Sequence, residues 1–125
     1  MNLITSLAVG YAIACLGVIG FQIALIAGAP WGRITQGGKH QGALPISGRV
    51  AAFVSIFILA AMACAILSAV GIWPNWPRWT GRVALGVQAL VTLVNWITPS
   101  KPERMLWGPV ESVLLAMATV VVLVT

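Results

Sequence analysis

Four uninterrupted apolar runs, at about residues 3–27, 48–73, 81–98 and 107–125, constrain this chain more than any other feature of its sequence. About 20 helical residues cross the roughly 30 Å hydrocarbon core of a bilayer, and each run is close to that length or longer. A segment in lipid has no water to satisfy its backbone, so it must be a helix or part of a closed barrel. The runs lack the two-residue alternation of a barrel wall. The sequence therefore predicts an all-α fold, a four-transmembrane-helix bundle forming a single integral membrane domain over residues 1–125.

Composition agrees: with 60% hydrophobic and 7% charged residues, too few polar groups exist to wet the surface of a soluble domain. Seven Lys and Arg against two acidic residues give a formal charge of +5. In a membrane chain such an excess reports orientation and attraction to anionic headgroups. No basic stripe with interleaved aromatics is present, which excludes nucleic acid as a partner. Cys15 and Cys64 lie inside apolar runs and read as small buried hydrophobes. The first run is expected to stay as a helix and not to be cleaved as a secretory signal. Ala27-Gly28-Ala29 mimics a cleavage site, but no Lys or Arg precedes the run, it is longer than a signal core, and Pro30 follows the would-be cut.

Tryptophan prefers the headgroup level, where its ring is in apolar surroundings and its N–H is wet. Trp31, Trp96 and Trp107 fall at one set of run ends, and Trp73, Trp76 and Trp79 at the other, so all six read as interface anchors. The first and third loops share one side and carry Arg33, Lys39, Arg49, Lys101 and Arg104, against Arg78 and Arg82 in the middle loop. The positive-inside bias then places both termini outside a bacterial inner (plasma) membrane. Arg33, Lys39, His40, Lys101 and Arg104 are the candidates to bind anionic headgroups on the cytoplasmic face.

The loops carry local signals. The stretch GAPWGRITQGGKHQGALPIS has no helical or strand period, and Ser47 is placed to cap the second helix, with Arg49 in its first turn. In the middle loop, Trp73, Trp76 and Trp79 recur every three residues, the period of polyproline II, so the rings are expected to share a face, as a ligand platform or as a simple anchor. Ser100 and Glu103 have the spacing of a capping box, from which an amphipathic first turn would start. Pro109 then either kinks the last helix or opens it afresh behind Gly108.

Polar residues within the runs are few, and in lipid each must find a partner. Counted from the same face, Glu111 lies about five residues into the fourth run, Gln22 about six into the first, Ser55 about seven into the second and Asn95 about three into the third. At about 1.5 Å per residue these positions form one polar layer just inside the hydrocarbon. Arg49 is the expected counter-charge of Glu111. That layer could bind a cation, relay a proton or orient a ligand, or Glu111 could simply pair with Arg49 near a helix start. Gln88 stands apart and reads as interhelical glue. Gly20, Ala24 and Gly28, and Ala61, Ala65 and Ala69, recur every four residues as packing seams, within the chain or toward a second subunit.

Other chemistry finds little footing. His40 is the sole histidine, so a two-histidine haem site is excluded, a self-contained metal site is not expected, and no cofactor is implied. The glycines around Lys39 miss the phosphate-loop spacing, since Gly38 stands where the lysine belongs. No Ser/His/Asp or Cys/His nucleophile set can be assembled, and no catalytic residue is nominated.

The segments GAPWGRITQGGKHQGALP and NWITPSKPERMLWGPV resemble blocks of small four-helix bacterial integral membrane proteins that are uncharacterised and have no assigned activity. The resemblance covers both basic loops and the starts of two helices, and it implies no functional residue. The signatures of small multidrug transporters and of fluoride channels are missing. Three functions stay open: a non-enzymatic accessory or scaffold subunit with a membrane-protein partner or as a homo-oligomer, which the scarcity of reactive groups puts first; a small-solute, ion or proton carrier using the layer around Glu111; and an intramembrane lipid-acting enzyme.

Overall fold

The computed structural model describes all 125 residues. It has four helices, α1 (Leu3–Ile26), α2 (Ile46–Ala69), α3 (Arg78–Ile97) and α4 (Lys101–Val124), and no strands. Two single-turn 3-10 segments, Gly32–Ile34 and Gln36–Gly38, shape the loop between α1 and α2 that reads as irregular in sequence. All four helices are long and apolar enough to cross a membrane, so the chain is a multi-pass membrane protein built as a four-helix bundle.

The helix ends depart from the sequence expectation in ways local chemistry explains. Asn2 caps α1, its side chain accepting from the Thr5 N–H at 2.8 Å. Pro45, not Ser47, precedes the first turn of α2, and its carbonyl accepts the Arg49 N–H at 3.0 Å. Ser47 is therefore inside the helix. At the other end α2 stops at Ala69, short of residue 73, because Gly71 takes a left-handed conformation (φ 81°). The Gly71 N–H then bonds the Ser68 carbonyl and the Ile72 N–H the Leu67 carbonyl, the paired bonds that end a helix at a glycine.

The middle loop is not a polyproline II segment. The Trp73–Pro74 bond is cis and Asn75 has φ 59°, so the threefold repeat that would align Trp73, Trp76 and Trp79 is broken. The Trp76 N–H instead bonds the Ser68 hydroxyl at 2.8 Å, tying the loop to α2. Helix α3 then begins at Arg78, three residues before the expected start.

Helix α4 begins at Lys101, six residues before the apolar run that announced it. Ser100 supplies one arm of the expected capping box, its hydroxyl accepting from the Glu103 N–H at 3.2 Å. The reciprocal arm does not form, because the Glu103 carboxylate turns inward. Pro109 lies inside this one helix, so a fresh start behind Gly108 is ruled out.

Helix α1 packs chiefly on α2 and α3 on α4, and looser α1–α4 and α2–α3 contacts close the ring. The main core, including Tyr11, Cys15, Ile66, Ala84, Leu114 and Val121, fills the half of the bundle nearer the middle loop. A small core of Leu25, Leu44 and Ala52 sits at the opposite end. Within the first core, α2 and α3 converge at Gly81, where an added Cβ would lie 3.8 Å from the Ala65 carbonyl oxygen and the Ala69 Cβ. Ala65 and Ala69 of the α2 seam thus pack inside the chain, whereas Ala61 is exposed. Gly20 of the α1 seam does not, having no neighbour within 4 Å.

Gly108 permits the tightest contact between α3 and α4, since a Cβ there would stand 3.0–3.1 Å from the Trp96 ring. That ring is held by its own N–H bond to the Ser112 hydroxyl at 2.9 Å and has little room to yield. Gly108→Leu should therefore destabilise the fold by about 1–3 kcal/mol through overpacking, read as a lower unfolding midpoint in detergent.

Candidate functional site

Between the two cores lies a cavity of about 650 Å³, lined by all four helices and by Thr35, Gln36 and Gly37 of the first loop. Gln22, Ser55, Asn95 and Glu111, the four residues expected to form one polar layer, all line it. Glu103 lines it as well, so both carboxylates of the chain face the cavity while none of the seven Lys and Arg residues does. In a chain of net charge +5, the sign of this interior is opposite to that of the whole.

The bonding within the layer differs from the expectation. Ser55 donates to its own helix at the Ala51 carbonyl (2.9 Å), and Asn95 to the Val91 carbonyl (2.8 Å). Glu111 is 6% exposed, and its partner is Gln88, whose amide Nε2 donates to Oε2 at 2.7 Å. The Tyr11 hydroxyl in turn donates to Gln88 Oε1 at 2.8 Å, and Thr92 Oγ1 lies 3.2 Å from Gln88 Nε2. One buried network therefore joins α1, α3 and α4. Glu111 Oε1 makes no hydrogen bond within the protein, yet it is not sealed off: no buried side-chain oxygen or nitrogen is left without a partner.

The Arg49–Glu111 ion pair does not form. Arg49 donates through Nε to the Leu44 carbonyl at 2.9 Å and through Nη1 to the Ile26 carbonyl at 3.5 Å. Leu44, in the loop, offers the nearer acceptor, and Ile26 offers a carbonyl at the end of α1, where helical partners are lacking and the helix dipole is negative, so a cation in the first turn of α2 is satisfied locally. Gln88 does join helices, as its place in an apolar run suggests, but it is not isolated: it is the hub of the site, and Tyr11 and Thr92, which carry no signal in the sequence, complete it. The cause is the early start of α4. Measured from Lys101, Glu111 stands ten residues into its helix, about 9 Å deeper than a start at residue 107 implies. It is level with Gln88, nine residues before the end of α3.

A second polar group closes the end of the cavity near the small core. Glu103 is buried, its carboxylate accepting from the Thr98 hydroxyl and from the Gly37 N–H at 3.4 Å. Gly37 has φ 81°, a conformation that favours glycine and aims this N–H toward the carboxylate. Trp107 Nε1 donates to the Ile34 carbonyl at 3.0 Å, and Gln36 Nε2 to the Gly48 carbonyl at 2.8 Å. The first loop is thereby fastened over the bundle as a roof. Phe21 lies edge-on to Trp107 at 4.9 Å and stacks on Trp31 at 5.6 Å.

The expected surface groups are divided. Arg33, Lys39, His40 and Lys101 are exposed, whereas Arg104 is half-buried and donates to the Thr98 carbonyl at 2.9 Å. Trp31, Trp73, Trp76, Trp79 and Trp96 are exposed, and Trp107 is half-buried. The indole N–H groups of Trp96 and Trp107 are bonded inside the protein, so these two tie elements of the bundle together. No three His, Cys, Asp or Glu side chains come together as a metal site.

The fold and site define a small multi-pass membrane protein whose bundle encloses a ligand-sized, mainly apolar cavity with an acidic interior. No protein-family model matches the chain, and no curated protein or solved structure matches it either.

Two double-mutant cycles test the bonding described here. Tyr11→Phe with Gln88→Leu should show a coupling of about 1 kcal/mol, because the two side chains share a buried bond. Arg49→Gln with Glu111→Gln should be additive within about 0.5 kcal/mol, because those two do not touch. Unfolding midpoints of the single and double variants in one detergent measure both.

Proposed function

We propose that this chain is a small-solute carrier or binding protein of a bacterial plasma membrane, with the cavity as its binding site and Glu111 as the residue that engages the solute. One observation carries the reading. A carboxylate is costly inside a bilayer, and this one is placed at the wall of a ligand-sized cavity with one oxygen free of protein partners. A carboxylate needed only for folding would use both oxygens or be replaced by an apolar residue at no loss. The greater basic charge of the first and third loops favours a cytoplasmic position for the roofed end of the cavity and an external one for both termini.

The accessory-subunit reading keeps one point in its favour. Gly17 and Gly20 face outward from α1 with nothing within 4 Å, a surface that would let another helix approach closely. Native mass spectrometry after gentle-detergent purification from the native membrane separates the two. The carrier reading expects the chain, alone or as a homo-oligomer, to retain a small molecule that is lost in Glu111→Gln while the unfolding midpoint stays within a few degrees. Recovery of other subunits in fixed ratio, with no retained small molecule, would establish the accessory role instead.

A further inference from the structure

We propose that the solute is an amphiphilic monocation, an alkylammonium in chemistry, that reaches the cavity sideways from the bilayer between α2 and α3 and sets its charge against Glu111. This deepens the solute-binding reading above and rests on it.

The route follows from which walls are open. Lining residues of α1 and α4 are buried or half-buried, including Val18, Gln22, Glu111 and Leu114. On the facing edges of α2 and α3, by contrast, Ile58 is 47%, Val94 51% and Ile97 68% exposed while also lining the cavity. The contact of these two helices at Gly81 and Ala65 lies at the far end of the bundle, which puts the proposed gap between them toward the exposed lining residues Ile58, Val94 and Ile97. The gap is edged by aliphatic side chains and faces lipid. An apolar body passes such an opening without cost, whereas a fully hydrated ion would have to shed its water there.

The charge follows from what lies inside. Both carboxylates of the chain line the cavity and no Lys or Arg does, so a cation finds counter-charges there and an anion finds none. A monocation beside Glu111 neutralises a charge that is costly to hold alone in lipid. Phe21 and Trp107 also line the cavity, near the level between Glu103 and Glu111, and add apolar ring surface beside the charge. Val18, Leu59, Val87 and Val91 supply an apolar stretch of the remaining wall that suits an alkyl tail, beside the amides of Gln22 and Asn95.

The test uses the full chain in phosphatidylcholine nanodiscs, titrated calorimetrically with octylammonium, octyl sulfate and octanol, with protein-free discs subtracted. The three share a tail and differ in head charge, so the comparison needs no variant. Octylammonium should bind saturably at one site, and the other two should give no signal beyond the blank. Glu111→Gln should weaken octylammonium at least tenfold, and bulky replacement at the opening, Val94→Phe with Ile97→Phe, should slow its association at least tenfold in stopped flow. Equal binding of octanol or octyl sulfate would overturn the cation class and leave a solute-binding cavity standing. Octylammonium binding that ignores Glu111→Gln would overturn its placement, and an unchanged association rate would overturn the lateral route. If none of the three binds, the proposal fails, and the retained small molecule sought by mass spectrometry then decides the broader reading separately.

Discussion

A carboxylate at mid-helix in a bilayer has to be met by a donor on a neighbouring helix, and in this protein that donor is the Gln88 amide. The amide has two ends and both are used: Nε2 serves Glu111 on α4, and Oε1 takes the Tyr11 hydroxyl from α1. In the low dielectric of the bundle each bond is electrostatically strong, and losing one strands a polar group with no water to replace it. The network thus fixes the rotation of three helices about their own axes. It matters most for α1, which is apolar on all sides and has no amphipathic face to choose its orientation. A single hydroxyl, that of Tyr11, supplies what the hydrophobic pattern does not.

The roof over the other end obeys a similar logic with different groups. Leu44 is the one apolar side chain of this glycine-rich loop that is fully buried, so its position depends largely on polar ties from elements already in place. Glu103, Trp107 and Ser100 reach it from α4 and its cap, with the Ser100 hydroxyl donating to the Arg33 carbonyl. Arg49 holds its far end through the Leu44 carbonyl. Ser100, Glu103 and Arg49 belong to the cap or first turn of α4 or α2, and Trp107 lies in the second turn of α4. The loop is therefore anchored to helix starts, where capping chemistry already concentrates polar side chains.

The architecture was legible because lipid leaves a chain with few options. Four runs of sufficient length, no alternation and a shortage of charge leave only a helical bundle. The polar residues of the cavity were legible in membership and not in pairing. Gln22, Ser55, Asn95 and Glu111 do surround one space, but Glu111 was set too shallow because the polar first turn of α4, Lys101-Pro-Glu-Arg, is invisible to a search for apolar runs. The capping signal at Ser100 held the information needed to correct the depth. Had the helix been counted from that cap, Gln88 and Glu111 would have fallen level, and Arg49 would have been left to the end of α1. Tyr11 carried no such signal, since a lone tyrosine in an apolar run looks the same whether its hydroxyl meets an amide or the headgroups.

The separation of charge gives the cavity a physical setting beyond its own walls. The basic residues Arg33, Lys39 and Lys101 sit exposed around the roofed end, and the two carboxylates sit within. Exposed cations at a membrane face pair with anionic lipids, and an anionic leaflet, with a surface potential of about −30 mV, concentrates monocations roughly threefold near its headgroups. An amphiphile enriched there lies with its charge at the interface and its tail in the hydrocarbon, the posture in which the gap between α2 and α3 would receive it. The charges that sum to +5 are thus separated in space: the basic surface pairs with anionic headgroups, and under the proposed binding the acidic interior takes over from the headgroups of the leaflet as the counter-charge of the amphiphile.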